Sequence, residues 1–425
     1  MISSILIANR GEIAVRIVRA CRELGIRSVV AYSEADRHSM AVQTADAAVC
    51  IGPAPATDSY LNINNVVSAA IITHCDAVHP GVGFLSENER FAAEVTNAGL
   101  VFIGPPSETI GLLGDKVRAK RIAVEQGVPV IPGSDGAVHD AEAAKSAAEQ
   151  IGYPVIVKAA AGGGGKGMRI CRSADELPGI LRIAAAEAEK SFSDGTVYLE
   201  KYLTDPRHVE LQVLVDSAGS VVHLGERDCS VQENHQKLVE ESPSNAVDDS
   251  LRRSMGSAAI AMFSALDYVG AGTIEFLVED GLTEIVTGVD IVAEQIRTAA
   301  GEPLSITQAE VRLRGYALEC RINARAAGTV SHYHPPGGFG VRIDSYLHDG
   351  AIVPPFYDSL VAKLIIYGRD RDDGLARMDR ALSELEIEGI PTNIERQRQI
   401  INSRVFQSGS FGTGALDAIK REVDI

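Results

Sequence analysis

The chain opens with a pattern of apolar and polar positions that predicts a strand, a helix and a second strand. Residues 3–9 form a short apolar run, whereas Ile13, Ile17 and Leu24 recur at the spacing of one helix face. A second apolar run covers Ser28–Tyr32. A strand, a helix and a strand within about thirty residues predict a right-handed crossover and a parallel, Rossmann-like sheet. Further strands of this sheet are predicted at Ala47–Ile51, Asp76–His79 and Leu100–Ile103.

A second unit is predicted after a helix and a turn-rich joint within 115–133, where Pro and Gly residues are typical of a hinge. Its strand Tyr153–Ala159 leads into a glycine-rich loop and is followed by a return strand over Met168–Cys171. A helix over Asp175–Ser191 and a strand over Val197–Leu203 complete the pattern, which predicts a small lid.

A third unit begins with a predicted hairpin. Its two extended runs, His208–Val215 and Ser220–Leu224, are joined by the turn sequence D-S-A-G. Helical spacing predicts helices around Leu251–Leu266 and over Asp372–Glu388, and a further antiparallel sheet is expected beside them.

Composition narrows the class of partner. Forty Lys and Arg residues stand against 57 Asp and Glu residues, which gives a formal net charge of −17 and disfavours nucleic acid as a partner. Charged residues arrive by Arg10, and no run of about 18 apolar residues occurs, so we expect neither a signal peptide nor a membrane partner. The expected location is the cytosol. Six cysteines without a C-x-x-C pair predict reduced, mostly buried thiols, with Cys229 and Cys320 as possible exceptions because chemical residues surround them.

The glycine-rich loop is the first candidate for chemistry. The run from Gly162 to Gly167 offers backbone N–H groups that a phosphate can approach closely, and Lys166 is followed by Gly167, so the loop is not a Walker loop. A plain turn is the alternative for a glycine run. Lys158 at the end of the preceding strand and E-K-Y-L from Glu200 at the end of a later strand favour a nucleotide site.

Eight motifs follow one another along the chain: I-A-N-R-G-E-I-A, H-P-G-V-G-F-L-S-E-N, V-K-A-A-A-G-G-G-G-K-G-M, E-K-Y-L, P-R-H-V-E, G-E-R-D-C-S-V-Q, E-F-L and E-C-R-I-N-A. Together they resemble biotin carboxylase, the ATP-grasp component of acetyl-CoA, propionyl-CoA and pyruvate carboxylases. The resemblance implies an α/β and α+β fold. It implies a Rossmann-like N-terminal domain over 1–114, a helical hinge over 115–134, an ATP-grasp lid over 135–203, and an ATP-grasp core with a C-terminal antiparallel-sheet domain over 204–425.

The same resemblance implies the residues that bind ATP. They are phosphate lysines, glycines and a methionine of the covering loop, residues at the adenine and further nucleotide contacts: Lys116, Lys158, Gly164, Gly165, Met168, Glu200, Lys201, Leu203, His208, Gln232, His235 and Glu275. Glu275 is also implied as the carboxylate ligand of Mg²⁺ or Mn²⁺. The alternatives are a structural role for His208 and His235 and a surface position for Glu275.

Two cations are implied as the catalytic residues. Lys237 matches a bicarbonate-binding cation, and Arg321 matches the arginine that orients bicarbonate and stabilises the biotin enolate, with a plain ion pair as its alternative role. The implied reaction converts bicarbonate and ATP to carboxyphosphate, which releases CO₂ that biotin then captures.

Partners also follow from the resemblance. No methionine neighbours a lysine in this chain, although the biotinylated lysine of this family is flanked by methionines, so biotin is expected on a separate carrier protein. A carboxyltransferase component is expected as well, within acetyl-CoA carboxylase of fatty acid synthesis or another acyl-CoA or keto-acid carboxylase. The positions of Arg19, Glu23, Phe339 and Arg342 match the family's homodimer contacts, and a solvated helix face is the alternative for the first two.

The sequence departs from the family at two gaps. After Gly281, about sixteen residues are missing that carry a second metal carboxylate, an asparagine, an arginine and the glutamate proposed to deprotonate bicarbonate. A second gap of about seven residues follows Ala324. Glu233 and Asn234 replace two expected positive charges, and Val82 replaces a tyrosine.

The gaps have two explanations at this point: a truly shortened chain, or an altered or incompletely represented one. The leading hypothesis is a biotin carboxylase. The alternatives are a catalytically impaired or regulatory homologue that binds nucleotide and, with less support, another ATP-grasp ligase such as a carbamoyl-phosphate or purine-pathway enzyme.

Overall fold

The computed structural model describes residues 2–138, 140–160, 168–192, 194–234, 236–274 and 282–423. The chain divides into two compact units. Unit 1 comprises Met1–Ser107, Arg207–Gln232 and Lys237–Ile425, and unit 2 comprises Glu108–Pro206 and Glu233–Gln236. The four domain segments predicted from the sequence stay a prediction.

The N-terminal part of unit 1 is a five-stranded parallel sheet, which confirms the prediction from the opening pattern. Its strands are β1 (Ser4–Ile7), β2 (Arg27–Ser33), β3 (Ala47–Gly52), β4 (Ala77–His79) and β5 (Val101–Phe102), and its helices are α1 (Gly11–Glu23), α2 (Met40–Thr44), α3 (Ile63–Ile72) and α4 (Glu89–Asn97). The strand order is β3-β2-β1-β4-β5, with every pair parallel. Helix α1 forms because Ile17, Val18 and Cys21 bury one face while Arg19 and Glu23 remain exposed.

Unit 2 contains a three-stranded antiparallel sheet in the order β7-β6-β8, as the lid pattern predicts. Its strands are β6 (Val155–Ala159), β7 (Arg169–Cys171) and β8 (Val197–Lys201), and its helices are α5 (Ser107–Gly114), which begins at the last residue of unit 1, α6 (Lys116–Glu125), α7 (Ala141–Ile151) and α8 (Leu177–Phe192). Val155, Val157 and Leu199 are fully buried in its core, together with Ala144 of α7 and Ala184 of α8. Alternate residues of the strands therefore face inward.

The remainder of unit 1 is built on a seven-stranded sheet in the order β12-β9-β10-β11-β13-β18-β16. The elements are β9 (Val209–Val215), β10 (Val221–Glu233), β11 (Gln236–Ser242), α9 (Asp249–Ser264), β12 (Gly270–Ile274), α10 (Leu282–Thr287), α11 (Ile291–Ala299), β13 (Tyr316–Asn323), β14 (Gly328–Thr329), β15 (His332–His334), β16 (Val341–Ser345), β17 (Ile352–Val353), β18 (Leu360–Gly368), α12 (Arg371–Glu384), β19 (Glu386–Glu388), α13 (Ile394–Asn402), α14 (Arg404–Gln407) and α15 (Ala415–Val423). Two small pairs, β14-β17 and β15-β19, lie outside this sheet. None of the helices within the described residues has the length and apolar character needed to cross a bilayer.

One predicted helix is too long. The helix expected over Asp372–Glu388 ends at Glu384, because Leu385 has extended backbone and the next three residues form β19. Strand β19 pairs with β15, so that Ile387 lies opposite Tyr333. Pairing with a strand that is distant in sequence therefore overrides the local helical spacing. The local pattern carries no information about that pairing.

A buried ion pair fixes the loop after β1 in unit 1. The guanidinium of Arg10 donates through Nε and Nη2 to the two carboxylate oxygens of Asp36, at 2.8 and 2.9 Å. The same guanidinium lies 4.4 Å from the ring centre of Tyr357 and 5.5 Å from that of Tyr346. Burial alone would lower the pKa of Arg10, but the hydrogen bonds and charge of Asp36 raise it instead. This arginine therefore connects the parallel sheet to Tyr346 and Tyr357, which lie much later in the chain.

His79, the last residue of β4, is predicted to make stability depend on acid pH. Burial, with a smaller contribution from the charge of Arg16, lowers the pKa of His79 to about 3. The neutral ring therefore stabilises the fold above the ordinary histidine pKa, and this stability is lost as pH falls from about 6.5 towards 3. The free energy of unfolding of wild type should fall between about pH 7.5 and 5, because the unfolded chain takes up a proton at His79 at the lower pH. In His79→Gln this fall should be smaller by about 2 kcal/mol.

Urea unfolding of both chains at the two pH values measures this difference. His38→Gln is the matched control, because His38 is exposed and its replacement should leave the pH dependence unchanged. An equal pH dependence in wild type and His79→Gln would contradict the prediction.

Candidate active site

In unit 2, one carboxylate joins two lysines at the sheet. Glu200 of β8 accepts from Nζ of Lys158 in β6 at 2.6 Å and from Nζ of Lys120 in α6 at 3.1 Å. These side chains meet because β6 and β8 pair directly, with Lys158 opposite Tyr198 and Ile156 opposite Glu200. The structure therefore brings together two of the predicted nucleotide residues, and it adds Lys120, which the sequence did not single out.

The other predicted nucleotide residues of unit 2 do not join this cluster of Lys158, Glu200 and Lys120 in the described contacts. Lys201 turns its Nζ to the backbone carbonyls of Gly152 and Tyr153, at 2.8 and 3.1 Å. Leu203 follows β8 and is exposed, and Met168 immediately precedes β7. The backbone of Lys116 begins α6. Gly164, Gly165, His235 and Glu275 lie outside the described residues, so their predicted roles remain predictions.

In unit 1, His208 and Gln232 lie side by side. Gln232 is near the end of β10, and its side-chain amide contacts Nδ1 of His208 and donates to the carbonyl of Cys229 at 2.8 Å. The backbone N–H of His208 donates to Ser230 Oγ at 3.0 Å. The two residues predicted as nucleotide contacts thus share one place at the start of β9 and the end of β10.

A buried network of charges crosses the middle of the seven-stranded sheet. Arg227 of β10 forms an ion pair with Glu210 of β9, which also accepts from Nζ of Lys237 in β11 at 2.8 Å. Arg321 of β13 donates through Nε to Glu240 of β11 at 2.8 Å. Glu319, opposite Glu240 on β13, lies 3.8 Å from Arg321 and completes a set of three cations and three carboxylates.

The three cations of this network differ in their access to solvent. The side chain of Arg227 is fully buried, whereas that of Lys237 is 8% exposed and that of Arg321 is 15% exposed. Arg227 therefore acts inside the fold, where it pairs with Glu210. Lys237 and Arg321, the two cations predicted from the sequence, keep a small exposed fraction.

Burial and charge set the protonation states of the network. Burial acts to lower the pKa of Lys237, but the charges of Glu240 and Glu210 outweigh it and raise the pKa, so the ammonium form is stabilised. Burial raises the pKa of the Cys229 thiol well above its ordinary value, with further contributions from Glu210 and Glu240. The thiol donates to Glu240 Oε2 at 3.4 Å. Cys229 is therefore a neutral donor in this network and not a nucleophile.

The residues described do not supply a site for Mg²⁺ here. Among them, one group of three side chains lies close enough to hold a metal: Glu210, Cys229 and Glu240. Both carboxylates already pair with cations of the network, and a protonated thiol is a poor ligand for a hard cation. This group does not fit Mg²⁺, and the predicted ligand Glu275 lies outside the described residues.

Four residues of the network were left unassigned by the sequence reasoning: Arg227, Glu210, Glu240 and Glu319. Arg227 lies in G-E-R-D-C-S-V-Q and Glu319 begins E-C-R-I-N-A. Glu210 ends the motif P-R-H-V-E, so the signal was present in the sequence. Glu240 belongs to none of the eight motifs, and its role depends on the pairing of β11 with β13, where Val239 lies opposite Cys320.

Comparison with known protein families covers most of the chain. The family model described as biotin carboxylase, N-terminal domain, matches residues 1–110. The model described as carbamoyl-phosphate synthase L chain, ATP binding domain, matches residues 115–307, and the biotin carboxylase C-terminal domain matches residues 319–418. Together with the fold, these matches define an ATP-grasp enzyme.

Individual relatives agree. The chain is 49% identical to biotin carboxylase 1 of Bacillus subtilis over 98% of each chain, and 45% identical to a pyruvate carboxylase subunit of Methanothermobacter thermautotrophicus over 100% of this chain and 91% of that protein. The biotin carboxylase domain dimer of Hydrogenobacter thermophilus 2-oxoglutarate carboxylase, solved with MgADP, ADP and bicarbonate, superposes with a TM-score of 0.94 at 42% identity, over 100% of this chain and 98% of that one. The chain belongs to the biotin carboxylase family, the ATP-dependent ligases that carboxylate biotin with ATP, Mg²⁺ and bicarbonate.

The comparison also bears on the gaps. The match to the Bacillus subtilis protein extends over 443 positions, whereas this chain has 425 residues. That relative therefore carries residues within the matched region that this chain lacks.

The cysteines supply a test of the buried network. All six are free thiols, of which Cys50 is exposed and the other five, including Cys229 and Cys320, are buried. A chromogenic disulfide reagent at neutral pH should therefore react quickly with about one thiol per chain. Cys50→Ser should remove the fast phase, whereas Cys229→Ser should leave it unchanged. A fast phase that disappears in Cys229→Ser would show that Cys229 is accessible and ionised.

Proposed function

We propose that this chain carboxylates biotin carried on a separate carrier protein, and that Lys237 and Arg321 hold the bicarbonate. The observation that carries the proposal is the buried charge network, in which these two cations are the ones with exposed surface. A cation held by carboxylates stays charged, and it needs little rearrangement to meet an incoming anion. Membership of the biotin carboxylase family supports the reaction class.

The residues proposed to bind ATP are Lys116, Lys158, Gly164, Gly165, Met168, Glu200, Lys201, Leu203, His208, Gln232, His235 and Glu275. The pairing of Lys158 with Glu200 supports a phosphate role for the lysine, because this ammonium group already lies beside an anion. A phosphate oxygen would compete with Glu200 for it. Glu275 is the proposed ligand of Mg²⁺.

The proposed partners are a biotin carboxyl carrier protein, a carboxyltransferase component and a second copy of the chain. Exposure supports the dimer surface, since Arg19 and Glu23 are exposed on α1 and Phe339 is 80% exposed. Arg342 contributes less directly, because it pairs with Glu284 and Asp344 of its own chain. We propose acetyl-CoA carboxylase of fatty acid synthesis in the cytoplasm as the parent complex. The relative from Methanothermobacter thermautotrophicus, whose name places it in pyruvate carboxylase, makes a keto-acid carboxylase the second candidate.

A catalytically impaired, nucleotide-binding homologue is the second candidate function. The observation that favours it is the extra length of the relative within the matched region. The nearest carboxylate after the shortened segment, Glu284, is a weak replacement for the missing metal ligand. It accepts from Arg16 at 3.0 Å, from Arg342 at 2.7 Å and from the backbone of Ile291 at 2.9 Å.

ATP binding should depend on Lys158. Lys158→Ala removes a cation that pairs with phosphate, and it should weaken ATP binding by about 1.5–3 kcal/mol, the range for charge-assisted hydrogen bonds. Titration calorimetry with ATP measures the loss. Lys145→Ala is the matched control, because Lys145 is an exposed lysine of the same unit and should leave the affinity unchanged. Equal affinities of Lys158→Ala and wild type would reject Lys158 as a ligand.

Turnover should depend on the segment after Gly281. Bicarbonate-dependent phosphate release from ATP with free biotin should be slow in the present chain, because the missing base is worth about 10²- to 10⁴-fold. Inserting the corresponding segment of a longer relative between Gly281 and Leu282 should raise the rate by about 10²-fold or more. A Gly/Ser segment of the same length is the control and should not raise it. An ordinary rate in the present chain would contradict the impaired function and support the full activity.

A further inference from the structure

The two strands that carry Lys237 and Arg321, β11 and β13, stop pairing with each other next to these residues. In the register of the described residues, β11 and β13 pair from Ser242 opposite Ala317 to Val239 opposite Cys320. The register does not continue to Leu238 and Arg321. The two proposed bicarbonate cations therefore stand where the ladder of backbone hydrogen bonds no longer fixes the spacing of the strands.

Where the backbone pairing of β11 with β13 ends, a glutamine side chain of α13 bridges the two strands. The Nε2 group of Gln397 donates to the carbonyl of Leu238 at 3.0 Å and to the carbonyl of Arg321 at 2.7 Å. A side-chain amide has two N–H donors, so each carbonyl receives one of them. One planar group thus spans β11 and β13 beside both cations.

The side chain of Gln397 is held in place by burial and by its two hydrogen bonds. Its side chain is fully buried, and its Oε1 atom has no hydrogen-bond partner among the described residues. A buried acceptor without a partner costs free energy. The two hydrogen bonds that the N–H groups donate are therefore what favours this orientation of the amide. Asn393, which precedes α13, adds a second contact by donating from Nδ2 to the carbonyl of Arg321 at 3.0 Å.

Asn393 also joins α13 to the end of β13. It accepts from the backbone N–H of Asn323 at 2.8 Å, and its own N–H donates to the carbonyl of Asn323 at 3.1 Å. The start of α13 is therefore tied to β13, and Gln397, one turn further along, extends the tie to β11.

We infer that Gln397 is a positioning residue: its amide sets the spacing of the Leu238 and Arg321 backbones, and through them the spacing of the Lys237 and Arg321 side chains. This inference rests on the proposed function in so far as those cations bind bicarbonate. A bicarbonate ion that contacts both needs them at a fixed separation, and a displacement of about 1 Å lowers such cooperation strongly.

The test replaces Gln397 by methionine, which has similar length and no N–H donor. Amide hydrogen exchange, measured by mass spectrometry on the folded full chain, should become faster at 236–239 and at 320–323. Bicarbonate affinity, measured by broadening of the ¹³C-bicarbonate signal, should fall about tenfold, the equivalent of one charge-assisted hydrogen bond. ATP affinity should be unchanged, because Gln397 donates to the carbonyls of Leu238 and Arg321, neither of which is among the residues proposed to bind ATP.

Ile400→Val is the matched control, since Ile400 is buried in the same helix and makes only packing contacts by its side chain. It should leave exchange at both segments and bicarbonate affinity as in wild type. Wild-type exchange at both segments in Gln397→Met would overturn the inference, as would an equal loosening in Ile400→Val. If wild type itself binds no bicarbonate, the proposed function fails, and the exchange comparison still decides whether Gln397 positions the strands.

Discussion

The structure around the candidate active site depends on the need to pair charges that are buried in the seven-stranded sheet. Glu240 and Glu319 lie directly opposite each other on β11 and β13, and both are buried. Like charges in this arrangement are destabilising unless a cation lies between them. Arg321 supplies that cation, at 2.8 Å from Glu240 and 3.8 Å from Glu319. Arg321 therefore stabilises this pair of carboxylates even without a substrate.

A cation that stabilises the fold and is also proposed to bind substrate is difficult to recognise as a catalytic residue. Lys237 and Arg321 would each be explained as ion-pair partners if burial alone were considered, and the sequence left that alternative open for Arg321. Arg227, whose side chain has no exposed surface, shows what a purely structural cation of the same network looks like. Lys237 and Arg321 differ from it in keeping a small exposed fraction, although all three cations pair with carboxylates of the same network.

Helix α10, which follows the gap that the sequence predicts after Gly281, is tied to other elements of unit 1 by its own residues. Thr283 contacts Arg227, and Glu284 joins Arg16 of α1 to Arg342 of β16. These contacts hold α10 by residues that lie on the downstream side of the gap.

Local patterns in the sequence identify the family, the strands of the parallel sheet and of the lid, and several helices, because neighbouring residues decide which face of an element is buried and motifs mark groups such as Lys237 and Arg321. Tertiary structure decided the features that depend on residues far apart in the chain. It ended the predicted helix at Glu384, because β15 lies where Glu386–Glu388 can pair with it. It also placed Gln397 against carbonyls 159 and 76 positions away in sequence. No local periodicity encodes these contacts, because strand order and register bring the residues together only after the whole sheet has formed.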